Sequence, residues 1–242
     1  FTGSVEVGRS IGAAAGKRII PATLELGGKS AAVIFDDANL DRALQKTMVG
    51  ILSSAGEVCV ANSRVLVQDT VYDKFLAMLK EKFEGAVLGD PMDPATQVGP
   101  ITDKKQMEKV LNYIEIGKKE GATLVCGGGR YEAQGDCAGG YFVKPTIFGD
   151  VTPEMTIAKE EIFGPVLCVM KFKDEAEALE IANGTDYGLG AAVCEYLSGV
   201  KPVPVIRHGV QDEFGRSGKA PLVLEAYGIT PEQIALSAKK AV

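Results

Sequence analysis

Residues 24–35 read Leu24-Glu25-Leu26-Gly27-Gly28-Lys29-Ser30-Ala31-Ala32-Val33-Ile34-Phe35. A carboxylate sits inside an apolar run that stops at two glycines, and a second apolar run begins at Ala31. Paired glycines let a chain bend or admit another group close to its backbone. Glu25 is therefore presented just ahead of a bend, and residues 31–35 read as a buried strand. Asp37 then offers an N-cap to a helix whose apolar face is Leu40, Ala43, Leu44 and Met48.

Outward from this stretch, strands and helices alternate. Upstream, Gly8, Gly12, Ala13, Ala14, Ala15 and Gly16 predict a tightly packed helix over 5–17, followed by an apolar strand from Ile19 to Leu26. Downstream, a strand over 64–68 leads into a helix from about Thr70 with Val71, Phe75, Leu79 and Phe83 inward. Thr102 or Asp103 caps a further helix that turns Met107, Val110, Leu111 and Ile114 inward, and residues 123–126 form a short strand. Glycines between 127 and 140 mark a loop or hairpin ahead of an extended stretch from Tyr141 to Phe148. A strand over 166–172 and a helix over 175–182, with Ala178, Leu179 and Ala182 on one side, complete the pattern. The expected fold is α/β, a parallel sheet flanked by helices, with ligands at the carboxyl ends of its strands.

The second stretch carrying chemistry is Ser53-Ser54-Ala55-Gly56-Glu57-Val58-Cys59-Val60-Ala61-Asn62-Ser63. Cys59 follows small residues and a glycine, so its thiol is reachable. A thiolate is strongly nucleophilic, yet an ordinary thiol is only a few per cent ionised near neutrality and needs a base or a positive environment. The chain has one histidine, His208, far downstream, which disfavours a Cys-His pair. Glu25 is the better base, since a partly buried carboxylate takes protons near neutral pH. A lone cysteine is more often a packing residue, and a lone glutamate more often a solvated one.

The two stretches resemble the glutamate and cysteine signatures of the aldehyde dehydrogenase superfamily. Collinear matches follow at Phe1-Thr2-Gly3-Ser4 with Val7-Gly8-Arg9, at Gly99-Pro100-Ile101, at Lys159-Glu160-Glu161-Ile162-Phe163-Gly164-Pro165-Val166, and at Asn183-Gly184-Thr185-Asp186-Tyr187-Gly188-Leu189. The motif resemblance covers residues 1 to about 193. It implies NAD- or NADP-dependent oxidation of an aldehyde to a carboxylic acid. Cys59 attacks the aldehyde, the thiohemiacetal loses hydride to the nicotinamide, and Glu25 activates the water that hydrolyses the thioester.

The same resemblance puts Glu161 on the nicotinamide ribose and Phe163 against the nicotinamide. It puts the Leu26 backbone on the carboxamide, and Gly3 and Ser4 at a cofactor-side turn. Glu57 stands where the family often has Gln, and is tolerated rather than catalytic. The implied layout is the end of a Rossmann-like cofactor domain over 1–28, a catalytic domain over 29–197 and a divergent tail over 198–242. In the family, most of the cofactor domain precedes the point matching Phe1, including a lysine on the cofactor and the oxyanion-hole asparagine, so the chain reads as a fragment expected not to turn over NAD(P)-linked aldehyde oxidation measurably by itself. Two rival readings stand beside the dehydrogenase. One is an inactive homologue with a binding or structural role, and the other is a thioester or ester hydrolase needing only Cys59 and Glu25.

Composition narrows the partners. Lys+Arg total 26 against 32 Asp+Glu among 242 residues, a net charge of -6 that gives nucleic acid or an anionic membrane no basic patch to meet. The five cysteines show no Cys-x-x-Cys and no paired histidine, so no metal is expected and reduced, cytoplasmic thiols are the simpler reading. No apolar run approaches the ~20 residues of a membrane span. The expected partners are a small-molecule aldehyde and, for the full-length family form, further copies of the same subunit.

Overall fold

The computed structural model describes residues 1–187; the tail expected over 198–242, together with Cys194 and His208, lies outside the described residues. The described residues belong to one unit, Phe1–Val193. Its centre is a five-stranded sheet of β3 (Ala31–Ile34), β4 (Arg64–Gln68), β5 (Thr123–Cys126), β8 (Thr146–Gly149) and β9 (Val166–Phe172), in the order β3-β4-β9-β8-β5. A separate two-stranded parallel sheet joins β1 (Thr2–Gly3) to β2 (Glu25–Leu26), with helix α1 (Val5–Arg18) between them. A short hairpin, β6 (Arg130–Tyr131) with β7 (Phe142–Val143), completes the strands.

The expectation of an α/β sheet flanked by helices holds, with one change of strand direction. β3, β4, β9 and β8 run parallel, whereas β5 pairs antiparallel with β8. A parallel return needs a helical crossover, and the chain between Cys126 and Thr146 is occupied instead by the β6–β7 hairpin and its turns. β4 and β9 are buried along almost their whole length, as the apolar runs Val65-Leu66-Val67 and Val166–Met170 require.

Helices α2 (Leu40–Leu52), α3 (Asp69–Glu84), α4 (Lys104–Lys119), α5 (Thr156–Lys159) and α6 (Glu175–Asn183) pack around the sheet. Four local expectations need correction. The strand over 19–26 shrinks to Glu25–Leu26, because α1 continues to Arg18 and closes on Ile19 in the left-handed conformation (φ 54°), leaving that side chain 93% exposed. The cap of α2 is Asn39, whose side chain accepts from the Arg42 N–H at 3.0 Å. On α3 it is Tyr72, not Val71, that is buried beside Phe75, Leu79 and Phe83, and its hydroxyl accepts from the Asp150 N–H at 2.8 Å. On α6 the inward residues are Ala178, Ile181 and Ala182, and Leu179 is half exposed.

The β2–β3 connection passes through Gly27, Gly28 and Lys29. The segment before β4 carries Cys59, and the segment before β9 carries Glu161 and Phe163. These segments therefore meet at the amino ends of the parallel strands, not at the carboxyl ends. The strand registers place Ala31 beside Arg64 and Arg64 beside Cys168, so β3 and β4 begin level with one another and β9 begins two residues ahead of them.

Candidate active site

The glycine pair is the meeting point of the site. A Cβ built on Gly27 would lie 2.7 Å from the Glu161 carboxyl carbon, and one on Gly28 would lie 2.5 Å from the Cys59 carbonyl oxygen. The Gly28 N–H donates to Glu161 Oε1 at 3.2 Å. Only residues without a side chain allow a carboxylate and a foreign carbonyl to approach one bend this closely. The bend expected from the sequence thus has a definite use: it holds Glu161 on one side and the backbone of Cys59 on the other.

Cys59 itself is exposed. Its loop is shaped by a tight left-handed turn, Ser53–Gly56, in which Ser54, Ala55 and Gly56 all have positive φ. A Cβ on Gly56 would lie 2.8 Å from the Pro165 nitrogen, so the cysteine loop rests directly on the segment that follows Phe163. Cys126 and Cys168 are different in kind. Burial pushes the Cys126 thiol up to about 11 and raises that of Cys168, whose sulfur donates to the Ile157 carbonyl at 3.2 Å.

Glu25 and Leu26 form β2, where Glu25 is paired with Thr2 and Leu26 with Gly3. Gly3 is thus brought beside Leu26, and Ser4 caps α1 by accepting from the Val7 N–H at 3.4 Å. A Cβ on Gly8 would lie 2.9 Å from Leu26 Cδ1, so α1 packs closely on β2. The partial burial expected for Glu25 is not found: the residue is exposed among the described residues. Among them Glu25 is paired through β2 with Thr2, and Cys59 lies on the loop before β4. The residues therefore form two groups, Gly3, Ser4, Glu25 and Leu26 in one and Cys59, Glu161 and Phe163 in the other, joined by Gly27 and Gly28.

Four further residues support the site, and of these only Glu57 stands out in the sequence. Glu57 accepts from the Thr102 N–H at 3.0 Å, and partial burial raises its carboxyl above the usual range. Gln106 Nε2 donates to the carbonyls of Ile162 at 3.1 Å and Phe163 at 2.7 Å. Lys29 is buried and its Nζ has no hydrogen-bond partner among the described residues. Burial pulls its ammonium down to about 8, against smaller opposing effects from Cys168 and Glu161. Arg64, also buried, donates from Nε to the Lys29 carbonyl at 3.0 Å and from its two terminal nitrogens to the carbonyls of Ile181 and Ala182 at 2.8 Å each. The one signal for Lys29 and Arg64 was a charge at the mouth of an apolar strand, a pattern shared by many solvated residues.

The donor set fits one end of a nicotinamide dinucleotide. Glu161 offers a carboxylate already oriented by a backbone N–H, suited to accept from ribose hydroxyls. The half-buried ring of Phe163 next to it offers a face for a flat heterocycle. The amino end of α1 at Ser4 is a donor-rich terminus of the kind that favours phosphate. Among the described residues no group of acidic, histidine or cysteine side chains is arranged to hold a metal, and no helix is long and apolar enough to cross a membrane.

Residues 1–195 match the aldehyde dehydrogenase family. A betaine aldehyde dehydrogenase of Sinorhizobium fredii is 53% identical over 193 residues, which cover 80% of this chain and 39% of that protein. One from Rhizobium etli is 46% identical over 242 residues, covering 99% of this chain and 47% of that protein, so the alignment continues past residue 193 where the motifs fade. The crystal structure of a Staphylococcus aureus betaine aldehyde dehydrogenase in complex with NAD+ superposes with a TM-score of 0.74 at 38% identity, covering 78% of this chain and 37% of that one. The chain spans about two fifths of the length of the first of these relatives. With motif, topology and sequence identity in agreement over most of its length, the chain belongs to the aldehyde dehydrogenase family.

Proposed function

We propose that this chain carries the catalytic half of an NAD- or NADP-dependent aldehyde dehydrogenase, with Cys59 as nucleophile and Glu25 as general base. The observation that carries the reading is the junction at Gly27-Gly28. There the Glu161 carboxylate is held by the Gly28 N–H at 3.2 Å, with the Cys59 backbone against the same glycine. A nucleophile and a carboxylate suited to a cofactor ribose are thus fixed to one bend. Betaine aldehyde and related aldehydes are the substrate class to try first, given the names of the similar proteins.

In this reading the exposed Cys59 sulfur adds to the aldehyde carbon to give a thiohemiacetal. The cofactor, when bound, supplies the acceptor for the hydride that leaves that carbon. Glu25 then removes a proton from the water that attacks the resulting thioester, and Cys59 departs as thiolate. Glu161 and Phe163 would hold the nicotinamide end, Leu26 would meet its carboxamide through the backbone, and Gly3 and Ser4 would form a cofactor-side turn. The boundary between cofactor-side and catalytic parts falls at about Gly28. A reducing compartment, the cytoplasm, suits these roles, since Cys59, Cys126, Cys137 and Cys168 are all unpaired thiols.

Limiting iodoacetamide followed by mass spectrometry tests the nucleophile. Cys59 should label first, ahead of Cys137 and well ahead of the buried Cys126 and Cys168. An activated ester then tests the base: Glu25→Gln should show a burst of acyl-enzyme and slow turnover, because acylation survives and hydrolysis does not. Inert Cys59, or an unchanged steady-state rate in Glu25→Gln, overturns the assignment.

A further inference from the structure

Asp103 caps α4, accepting from the Gln106 N–H at 2.8 Å, which makes Asp103-Lys104-Lys105-Gln106 a capping-box sequence. In such a box the Gln side chain turns back toward the helix start. Here its amide nitrogen reaches across to a different segment, donating to the consecutive carbonyls of Ile162 and Phe163 at 3.1 and 2.7 Å. Phe163 lies in the left-handed region, φ 60°, without being a glycine. A residue stays in that conformation only where its surroundings determine it, and two bonds to adjacent carbonyls do so directly. One turn further along α4, Val110 meets Gly164, where a Cβ would lie 3.0 Å from Val110 Cγ1. At the head of the helix the Thr102 N–H donates to Glu57, two residues before Cys59.

We infer that Gln106 is a positioning residue: it holds Phe163 in its left-handed backbone conformation and so sets the ring, and the adjoining Glu161 carboxylate, toward the place a nicotinamide would occupy. The consequence for the cofactor rests on the function proposed above; the hold on Phe163 does not. Glu57 holds Thr102, just ahead of the cap of the same helix, so the start of α4 and the residues leading into it link the Phe163 segment to the Cys59 loop.

The chain contains no tryptophan, so Phe163→Trp creates a single indole at the position in question. In that background Gln106→Ala removes the amide, and Gln106→Glu keeps its shape while removing the N–H donors. Acrylamide quenching reports accessibility of the indole, titration with oxidised nicotinamide mononucleotide reports stacking, and a urea transition reports folding. Both Gln106 variants should raise acrylamide quenching several-fold and weaken nicotinamide quenching about tenfold, while retaining a cooperative urea transition. Acrylamide quenching equal to that of the Phe163→Trp parent in a folded Gln106→Ala or Gln106→Glu variant overturns the positioning role. If acrylamide separates the variants but the mononucleotide quenches none of them, the positioning role stands and the cofactor face proposed for Phe163 falls.

Discussion

Gly27 and Gly28 carry the closest approaches in the site, and their replacement separates two kinds of neighbour. Gly27→Ala meets the end of a glutamate side chain, which can swing aside, whereas Gly28→Ala meets the backbone carbonyl of Cys59 at 2.5 Å. Gly28→Ala should therefore cost more stability, ~1–3 kcal/mol by urea denaturation, as an overpacked site does. Gly27→Ala should cost less stability but displace Glu161. Equal losses at the two positions would show that the Cys59 loop moves as freely as a side chain.

Lys29 makes a pH-dependent contribution whose sign follows from its burial. Its ammonium is pulled down from 10.5 to about 8 in the folded chain. Between those values the unfolded chain holds more protons, so stability from this group rises with pH across the window, on the order of 3 kcal/mol in all. Cys126 and Cys168, whose thiols are raised, oppose it above about pH 9. The signature is therefore a difference. Urea midpoints measured from pH 7 to 10 should rise more steeply for the parent than for Lys29→Met, and parallel profiles would mean that Lys29 is hydrated in solution.

At the scale of elements, the carboxyl-terminal turn of α6 has its open carbonyls answered from the sheet. Helix ends leave such carbonyls without partners, and cations near them are favoured. Arg64 on β4 takes Ile181 and Ala182 with its two terminal nitrogens and the Lys29 carbonyl with Nε, so one planar fork ties α6 to the entry of β3. Arg64→Met leaves three buried acceptors without that donor, and should cost ~3 kcal/mol or more in a urea titration with the slope unchanged. Arg64→Lys should recover little, because an ammonium cannot reproduce the fork. A loss below about 0.5 kcal/mol would show that α6 is held by packing alone.

At the scale of the whole molecule, the two parts proposed to meet at about Gly28 differ in how much their described residues bury. β1 and β2 are two residues each, α1 buries only Gly8 and Ala15, and Phe1, Val7, Ile19 and Ile20 are exposed. The five-stranded sheet, by contrast, buries Val65, Leu66, Val67, Ile147 and Val166 completely. Local opening follows burial, so amides of α1 should exchange with deuterium well before those of β4 and β9, and limited proteolysis should cut first within residues 1–26. Protection of α1 equal to that of β4 would remove the proposed division at Gly28.

Local patterns alone settled a good deal about this protein. β4, β5 and β9 have the bounds their apolar runs predict, and the cysteine, carboxylates and glycine bend of the candidate site all lie in motifs that can be quoted residue by residue. Local pattern was enough there because burial on both faces of a strand leaves an apolar run, and a close approach leaves a glycine. What only the tertiary structure decided are relations between distant residues. Among these are the antiparallel direction of β5, the convergence of three segments at the amino ends of the strands, and the exposure of Glu25. Gln106 belongs here too, since a polar residue in the first turn of a helix looks the same whether it faces water or two carbonyls more than fifty residues away. Its role depends on which segment is packed beside it, and packing depends on the whole chain.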